Sequence, residues 1–405
     1  MMNKDSFLDS GHTPSLIAAF LYFDLAFMVW VLLGPLGVGI AKDLALTHAQ
    51  KGLMVATPVL AGAILRLVMG VLVDKLSPRK AGLIGQVIVI ATMLVAWLRG
   101  IHSFEETLVL GSFLGVAGAS FAAALPLASR WYPPQHQGKA MGIAGAGNSG
   151  TALAALFAPG LAAAFGWTNV FGLAVIPLTL VLIAFFFLAK DAPDAPKPKT
   201  LAEYLHVLKD PDAWWFMFFY SVTFGGFVGL SSSLVIYFNT QYGLDAKTAG
   251  YYTAACVFAG SMVRPIGGMV SDRIGGVRAL TFMYLLAAIL LAIASVGLPL
   301  PWMALVVFSG AMLCLGAGNG AVFQLVPQRF RKEIGVMTGL VGFAGGVGGF
   351  YLASSLGYSR QVTGSYQAGF LIFAALAVVA LTGLSSVKTR WRTTWGAAHL
   401  TGARI

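Results

Sequence analysis

The chain has 405 residues, of which 58% are hydrophobic and only 10% charged, and its mean hydropathy is +0.81. Soluble domains carry about 25% charged residues, so this composition excludes a soluble globular protein and points to an all-α membrane protein with many spans. The formal charge of +11 does not indicate a nucleic-acid partner, because the basic residues are scattered among short loops, where membrane topology accounts for them.

Apolar runs of about 20 residues, enough to cross a bilayer, recur along the whole chain. The short alternating segments of a β-barrel are absent. Cys256 and Cys314 both fall inside apolar runs, so no disulfide framework is expected. The six histidines (His12, His48, His102, His136, His206 and His399) lie in or beside loops without metal-ligand spacing, so neither a metal nor a cofactor is expected. The first apolar run is too long for the core of a signal peptide and lacks a convincing cleavage site, so it reads as a helix.

In chain order the first six spans are expected at roughly 15–41, 51–73, 80–101, 105–131, 138–165 and 167–190. The other six follow at roughly 213–240, 247–270, 278–298, 300–328, 333–357 and 365–386. Between the sets lies "KDAPDAPKPKTLAEYLHVLKDPD", a Pro- and Lys-rich linker with a short polar helix, after which Trp214 and Trp215 mark an interface. The expected organisation is therefore a half at 1–190, a cytoplasmic linker at 191–212 and a second half at 213–405. The end of the second half, "VKTRWRTTWGAAHLTGARI", reads as a basic interface anchor.

Placing the N-terminus inside puts 19 of the 26 Lys and Arg in cytoplasmic segments, among them Lys75, Arg130, Arg273, Arg329, Arg331 and Lys332. Five lie outside: Lys42, Lys51, Arg99, Lys247 and Arg360. The positive-inside rule then orients both termini to the cytoplasm. Two arginines remain in the membrane, Arg66 and Arg264.

Those two expose an internal repeat. "AGAILRLVMGVLVDKL" (61–76) aligns without a gap on "AGSMVRPIGGMVSDRI" (259–274), matching Arg66 to Arg264 and Asp74-Lys75 to Asp272-Arg273. "GKAMGIAGAGNSG" (138–150) aligns likewise on "GVMTGLVGFAGGV" (335–347). Duplicated halves with the substrate between them near the midplane are how many secondary transporters are built.

An arginine at the membrane centre costs roughly 2.5–3.5 kcal/mol on insertion scales. Two at equivalent repeat positions cannot neutralise each other, and the one acidic residue well inside a span is Asp24. The cavity therefore lacks an anion, and the planar guanidinium fork suits an oxyanion better than a lysine would. Snorkelling to an interface, or bonding to backbone carbonyls, is the alternative for each arginine; duplication at one register weighs against it. The 49 glycines exceed the typical ~7% and recur three and four apart in 142–150 and 335–349. That spacing lets helices approach closely, narrowing the cavity to a compact ligand. Asp24, in "LYFDLAFMVWVLLGPLG", is expected either to bind a proton as the anion enters or to form a fixed ion pair or cap.

"GVLVDKLSPRK" (70–80) and "GGMVSDRIGGVR" (267–278) resemble the paired loops of the major facilitator superfamily, although Ser77-Pro78 stands where a glycine is usual. "GIAGAGNSG" (142–150) and "GFAGGVGGF" (342–350) resemble the paired signatures of its nitrate/nitrite porter family. "GNGAVFQLVP", "GASFAAALP" and "YSVTFGGFVG" are similar to that family's tenth, fourth and seventh helices. The resemblance implies a major-facilitator-type fold, twelve transmembrane helices in two pseudo-symmetric six-helix bundles. It implies that Arg66 and Arg264 bind the anion, that Phe121 and Phe224 sandwich it, and that Tyr220 and Asn148 assist. Gly345 stands at the position equivalent to Asn148, so the second signature contributes backbone there and no amide. Asn319 and Gln324 read as polar glue between helices.

The expected function is secondary active transport of nitrate and nitrite across the inner membrane by rocking of the halves. The coupling is nitrate/proton symport or nitrate/nitrite antiport, with symport favoured because Asp24 supplies a titratable group and exchange requires none. The expected partners are nitrate, nitrite, protons and the lipid bilayer, with no nucleic acid, and the chain is expected to be a monomer. An exchanger of organic acids or phosphate esters could also use paired arginines, but the glycine signatures argue against it. An enzyme would show convergent ligands or a nucleophile with its base, and a sensor of anions would carry a soluble output domain. Neither pattern appears.

Overall fold

The computed structural model describes residue 7 and residues 9–193, 201–330 and 333–396. Arg331, Lys332, residues 194–200 of the linker and the last nine residues of the tail lie outside the described residues. Among the described residues there are twelve helical segments long and apolar enough to cross a membrane. They fall six before the linker and six after it.

The first span is two helices rather than the single one expected: α1 (Thr13–Trp30) and the short α2 (Gly37–Asp43). Pro35 has no N–H to continue the ladder. The chain between tightens into three-residue bonds, Leu32 N–H to the Val29 carbonyl and Gly34 N–H to that of Val31. A Cβ on Gly34 would stand 2.2 Å from the Ser232 carbonyl oxygen, so this bend brings the two halves into backbone contact.

The second and third spans are α3 (His48–Lys75), opened by a Thr47–Gln50 capping box, and α4 (Pro78–Arg99), capped by Ser77. The fourth span is broken into α5 (Phe104–Gly118) and α6 (Phe121–Ser129), and the fifth into α7 (Pro134–Gly145), a 3₁₀ turn (Ala146–Ser149) and α8 (Gly150–Phe165). Then comes α9 (Trp167–Leu188). The linker carries α10 (Leu201–Val207), the short polar helix expected there.

In the second half, α11 (Pro211–Tyr242), α12 (Ala246–Ile274) and α13 (Gly276–Ser295) are followed by α14 (Pro301–Arg329), α15 (Ile334–Thr363) and α16 (Gln367–Thr393). α3 packs along α15 and α8 along α12, so both pairs join the halves. The contacts are as close as glycine allows: a Cβ on Gly52 would lie 2.8 Å from Gly357 Cα, and one on Gly250 would lie 2.5 Å from the Ala155 carbonyl oxygen. The His48 N–H donates to Gln361 Oε1 at 3.0 Å, closing the end of the bundle that carries Lys51 and Arg360.

At the other end, Asp212 near the start of α11 accepts from Arg329 Nε at 2.9 Å, from Arg390 and from Trp391 Nε1 at 2.8 Å. The described part of the tail continues α16 beyond residue 386; Lys388, Arg390 and Arg392 are exposed there, while Trp391 is buried against Phe216 with ring centroids 4.8 Å apart. The buried Asp212 carboxylate needs donors, and the tail supplies two of them.

Candidate anion-binding site

The break in the fourth span matters for Arg66. In an unbroken helix the Gly118 carbonyl would accept from Ala122, but that N–H turns to the Ala119 carbonyl. Gly118 is left with an open acceptor, and Arg66 Nε donates to it at 3.0 Å. Arg66 Nη1 donates at 2.7 Å to the Gly342 carbonyl on α15, in the other half. The third guanidinium nitrogen, Nη2, is buried without a partner. The side chain is only 2% exposed, so it does not snorkel, but the other alternative, bonding to backbone carbonyls, holds for two of its three nitrogens.

Four rings surround that guanidinium: Phe224 at 5.0 Å, Trp30 at 5.2 Å, Phe121 at 5.4 Å and Phe27 at 5.9 Å, each measured to the ring centroid. Such faces attract a cation and exclude water, which strengthens every charge contact between them. Trp30 is fixed by donating Nε1–H to the Pro58 carbonyl at 2.7 Å. Its indole occupies the space left by Gly62 and Gly118, where a Cβ would come within 2.8 and 2.4 Å of it.

Arg264 is held more loosely. Its Nη2 meets the Tyr220 hydroxyl at 3.3 Å, its Nη1 is buried without a partner, and it lies 5.7 Å from the Phe323 ring. Tyr220 stacks on Phe224 at 5.1 Å with the planes 5° apart, and Phe323 stands edge-on to Tyr220 at 5.1 Å. The two guanidinium groups are near enough to repel each other, and Tyr220 interacts with both. Among the described residues no carboxylate pairs with either arginine. Gly345, at the position matching Asn148, makes room for the aromatic pair: a Cβ there would lie 2.7 Å from Tyr220 and 2.9 Å from Phe224.

The structure thus brings Arg66, Arg264, Phe121, Phe224 and Tyr220 together. Asn148 lies in the 3₁₀ turn of the fifth span, wholly buried, with both amide atoms unpartnered. Asp24 lies on α1 and accepts from Ser149 Oγ at 2.7 Å. No ion pair reaches it among the described residues, so the fixed-pair alternative is not what is seen, whereas its second bond, from the Gly150 N–H at the start of α8, fits the cap alternative.

Sequence reasoning missed Trp30, Phe27 and Phe323, which look like ordinary apolar residues. It also took Asn319 for interhelical glue, yet both of its buried amide atoms lack a partner. Asn319 sits one turn before Phe323 and so shares its helix face, which turns toward Arg264, Tyr220 and Phe121. Its place in "GNG" was the available signal, since an amide flanked by glycines has few neighbours to bond.

The model of the Major Facilitator Superfamily matches residues 18–353. The probable nitrate/nitrite transporter NarK2 of Mycobacterium tuberculosis is 34% identical over an alignment covering 92% of this chain and 95% of that protein. The nitrite extrusion protein of Bacillus subtilis is 31% identical over 93% of each. In fold the chain is similar to a bacterial homologue of the human lysosomal transporter Spinster in an inward-facing and occupied conformation, with a TM-score of 0.71 at 18% identity, covering 92% of this chain and 96% of that one. Twelve apolar helices in two related sets, paired intramembrane arginines and relatives matched almost end to end place this multi-pass membrane protein in the nitrate/nitrite porter family of the major facilitator superfamily.

Proposed function

We propose that the chain is a secondary active transporter of nitrate, and of nitrite, with the anion held between Arg66 and Arg264. The observation carrying this reading is that each guanidinium keeps one buried nitrogen without a partner, while no carboxylate neutralises either charge among the described residues. A small flat oxyanion supplies both the charge and the acceptors. Phe121 and Phe224 bound it with flat apolar faces, Tyr220 adds a hydroxyl, and Asn148 adds an amide that at present bonds nothing.

The protein sits in the inner membrane with both termini cytoplasmic and works as a monomer. The halves at 1–190 and 213–405 rock about the site. With that orientation the end closed by His48 and Gln361 faces outward, so the anion would next leave toward the cytoplasm. Arg66 bridges the halves through the Gly342 carbonyl, so an anion drawing on the same guanidinium bears on the contact that rocking must break.

Coupling is nitrate/proton symport with Asp24 as the proton site, because a membrane carboxyl with no cationic partner is costly unless it titrates in the cycle. Nitrate/nitrite exchange is the second reading, favoured by a 30% identical relative from Thermus thermophilus named a probable nitrate/nitrite antiporter. Proteoliposomes separate the two. Symport predicts nitrate influx driven by an acid-outside gradient with no internal nitrite. Influx that requires internal nitrite and ignores the gradient selects exchange, and the absence of nitrate flux under both conditions refutes nitrate transport.

A further inference from the structure

We propose that Ser149 is a positioning residue that transmits the protonation state of Asp24 to Asn148, so that anion affinity follows the proton. The inference rests on the symport reading above.

The fifth span supplies the device. Its α-helical bonding is interrupted at Ala146–Ser149 by a 3₁₀ turn, and such turns inside a long helix mark places where bonding can change register. Asn148 and Ser149 are consecutive in that turn. One carries an unsatisfied buried amide and the other donates to Asp24 Oδ1 at 2.7 Å. The backbones are pressed together as well. A Cβ on Gly150 would stand 1.7 Å from the Asp24 carbonyl oxygen, and one on Gly147 would stand 3.0 Å from the Asp24 nitrogen and 2.7 Å from the Phe23 ring. Nothing compressible separates the Asp24 backbone from the turn, so a shift of one is felt at the other. Phe23 in turn lies 5.8 Å from Phe121.

The chemistry at Ser149 differs between the two protonation states. An ionised carboxylate can only accept, so it obliges the Ser149 hydroxyl to donate to it. A proton taken from the open aqueous side onto the Asp24 carboxyl makes that group a donor, and the Ser149 hydrogen is then free to bond a backbone carbonyl of the preceding turn. The 3₁₀ turn loses its tether, and the Asn148 amide is released to reach the anion. Neutralising Asp24 also removes a negative charge from the interior that receives nitrate, an effect of the same sign. Anion and proton leave together when the site opens to the other side.

The surroundings leave Asp24 few competitors. α1 packs against α3 to α9 and against the turn itself. Of these, α6, α8 and α9 carry no titratable side chain. α3 bears Arg66, bonded to the Gly118 and Gly342 carbonyls, the remaining charges of α3, α4 and α5 stand toward helix ends, as Lys75, Arg79 and Glu106 do, and α7 carries His136 in its first turn and Lys139 one turn on. None of the described ones pairs with Asp24, whose polar neighbours are the Ser149 hydroxyl and the Gly150 amide.

Calorimetric titration of nitrate into the purified full chain, between about pH 5 and pH 8 and in buffers of different ionisation enthalpy, tests this. By reciprocity, wild type should bind nitrate on the order of tenfold more weakly at the alkaline end and take up about half a proton per nitrate at intermediate pH. Asp24→Asn should bind nitrate with a flat pH profile and no proton uptake, Ser149→Ala should keep only the shallow remnant of both that the Asp24 charge exerts through space, and Ser149→Thr should restore the wild-type slope and proton count. The proposal is overturned if Ser149→Ala keeps the wild-type slope and proton count, which would mean that Asp24 acts through space. A wild type that binds nitrate without pH dependence overturns it too, leaving nitrate recognition intact. No nitrate binding at any pH rejects recognition and coupling together.

Discussion

Arg66 and Arg264 occupy matched registers of a duplicated sequence, yet the two halves hold them differently. Arg66 has backbone carbonyls on two of its nitrogens and rings on all sides, whereas Arg264 has one long contact to a tyrosine hydroxyl. The matched glycine-rich helices differ as well. The first presents the Asn148 amide, while the second presents Gly345, against which Tyr220 and Phe224 pack. Duplication placed two equivalent charges; divergence tied one to backbone carbonyls of both halves and left the other with a single long contact.

Breaking the fixed arginine should have the largest effect. Arg66→Lys keeps the charge but cannot serve both carbonyls and an anion with one fork. Nitrate affinity should fall on the order of 100-fold, and thermal stability should drop by about 1–3 kcal/mol from the carbonyls left unmet. Arg264→Lys should cost on the order of tenfold in affinity with little change in melting temperature. Calorimetry and thermal unfolding of the two variants side by side measure the asymmetry, and equal losses in both would remove it.

Gly345→Ala asks whether the second signature is a cradle for rings. The added methyl must displace Tyr220 and Phe224 or the helix itself, an overpacking worth about 1–3 kcal/mol. Uptake should fall roughly tenfold, and Gly142→Ala, which meets nothing within 4 Å, should be silent in the same assay. The smallest effect is expected for Phe224→Ala. Losing one flat wall should reduce discrimination of nitrate from chloride by a few-fold, on the order of 1 kcal/mol, read by competition without loss of folded protein.

Much of this molecule was legible in its sequence because charge inside an apolar run is so costly. Arg66 and Arg264 could be located and paired from that fact and from the repeat, and their shared register implied a common site. The spans were legible for the same reason. The breaks within them were not. "GASFAAALP" is a string of small residues that favours a continuous helix, and only packing reveals that the bonding shifts at Ala119 and frees the Gly118 carbonyl for Arg66. Trp30 was equally hidden, because a tryptophan in a span reads as core until its contact with Pro58 and with two facing glycines is known. Trp391 was hidden too: between two arginines it reads as part of the basic tail, but the chain folds it back onto Asp212.

The most direct measurement is an experimental structure of the protein with nitrate bound. The expected result is planar density between the two halves, with oxygens at about 3 Å from Arg66 Nη2 and from Arg264 Nη1 and with the Phe121 and Phe224 faces on either side. Nitrate found elsewhere, or either guanidinium closed by a carboxylate of the chain, would contradict it.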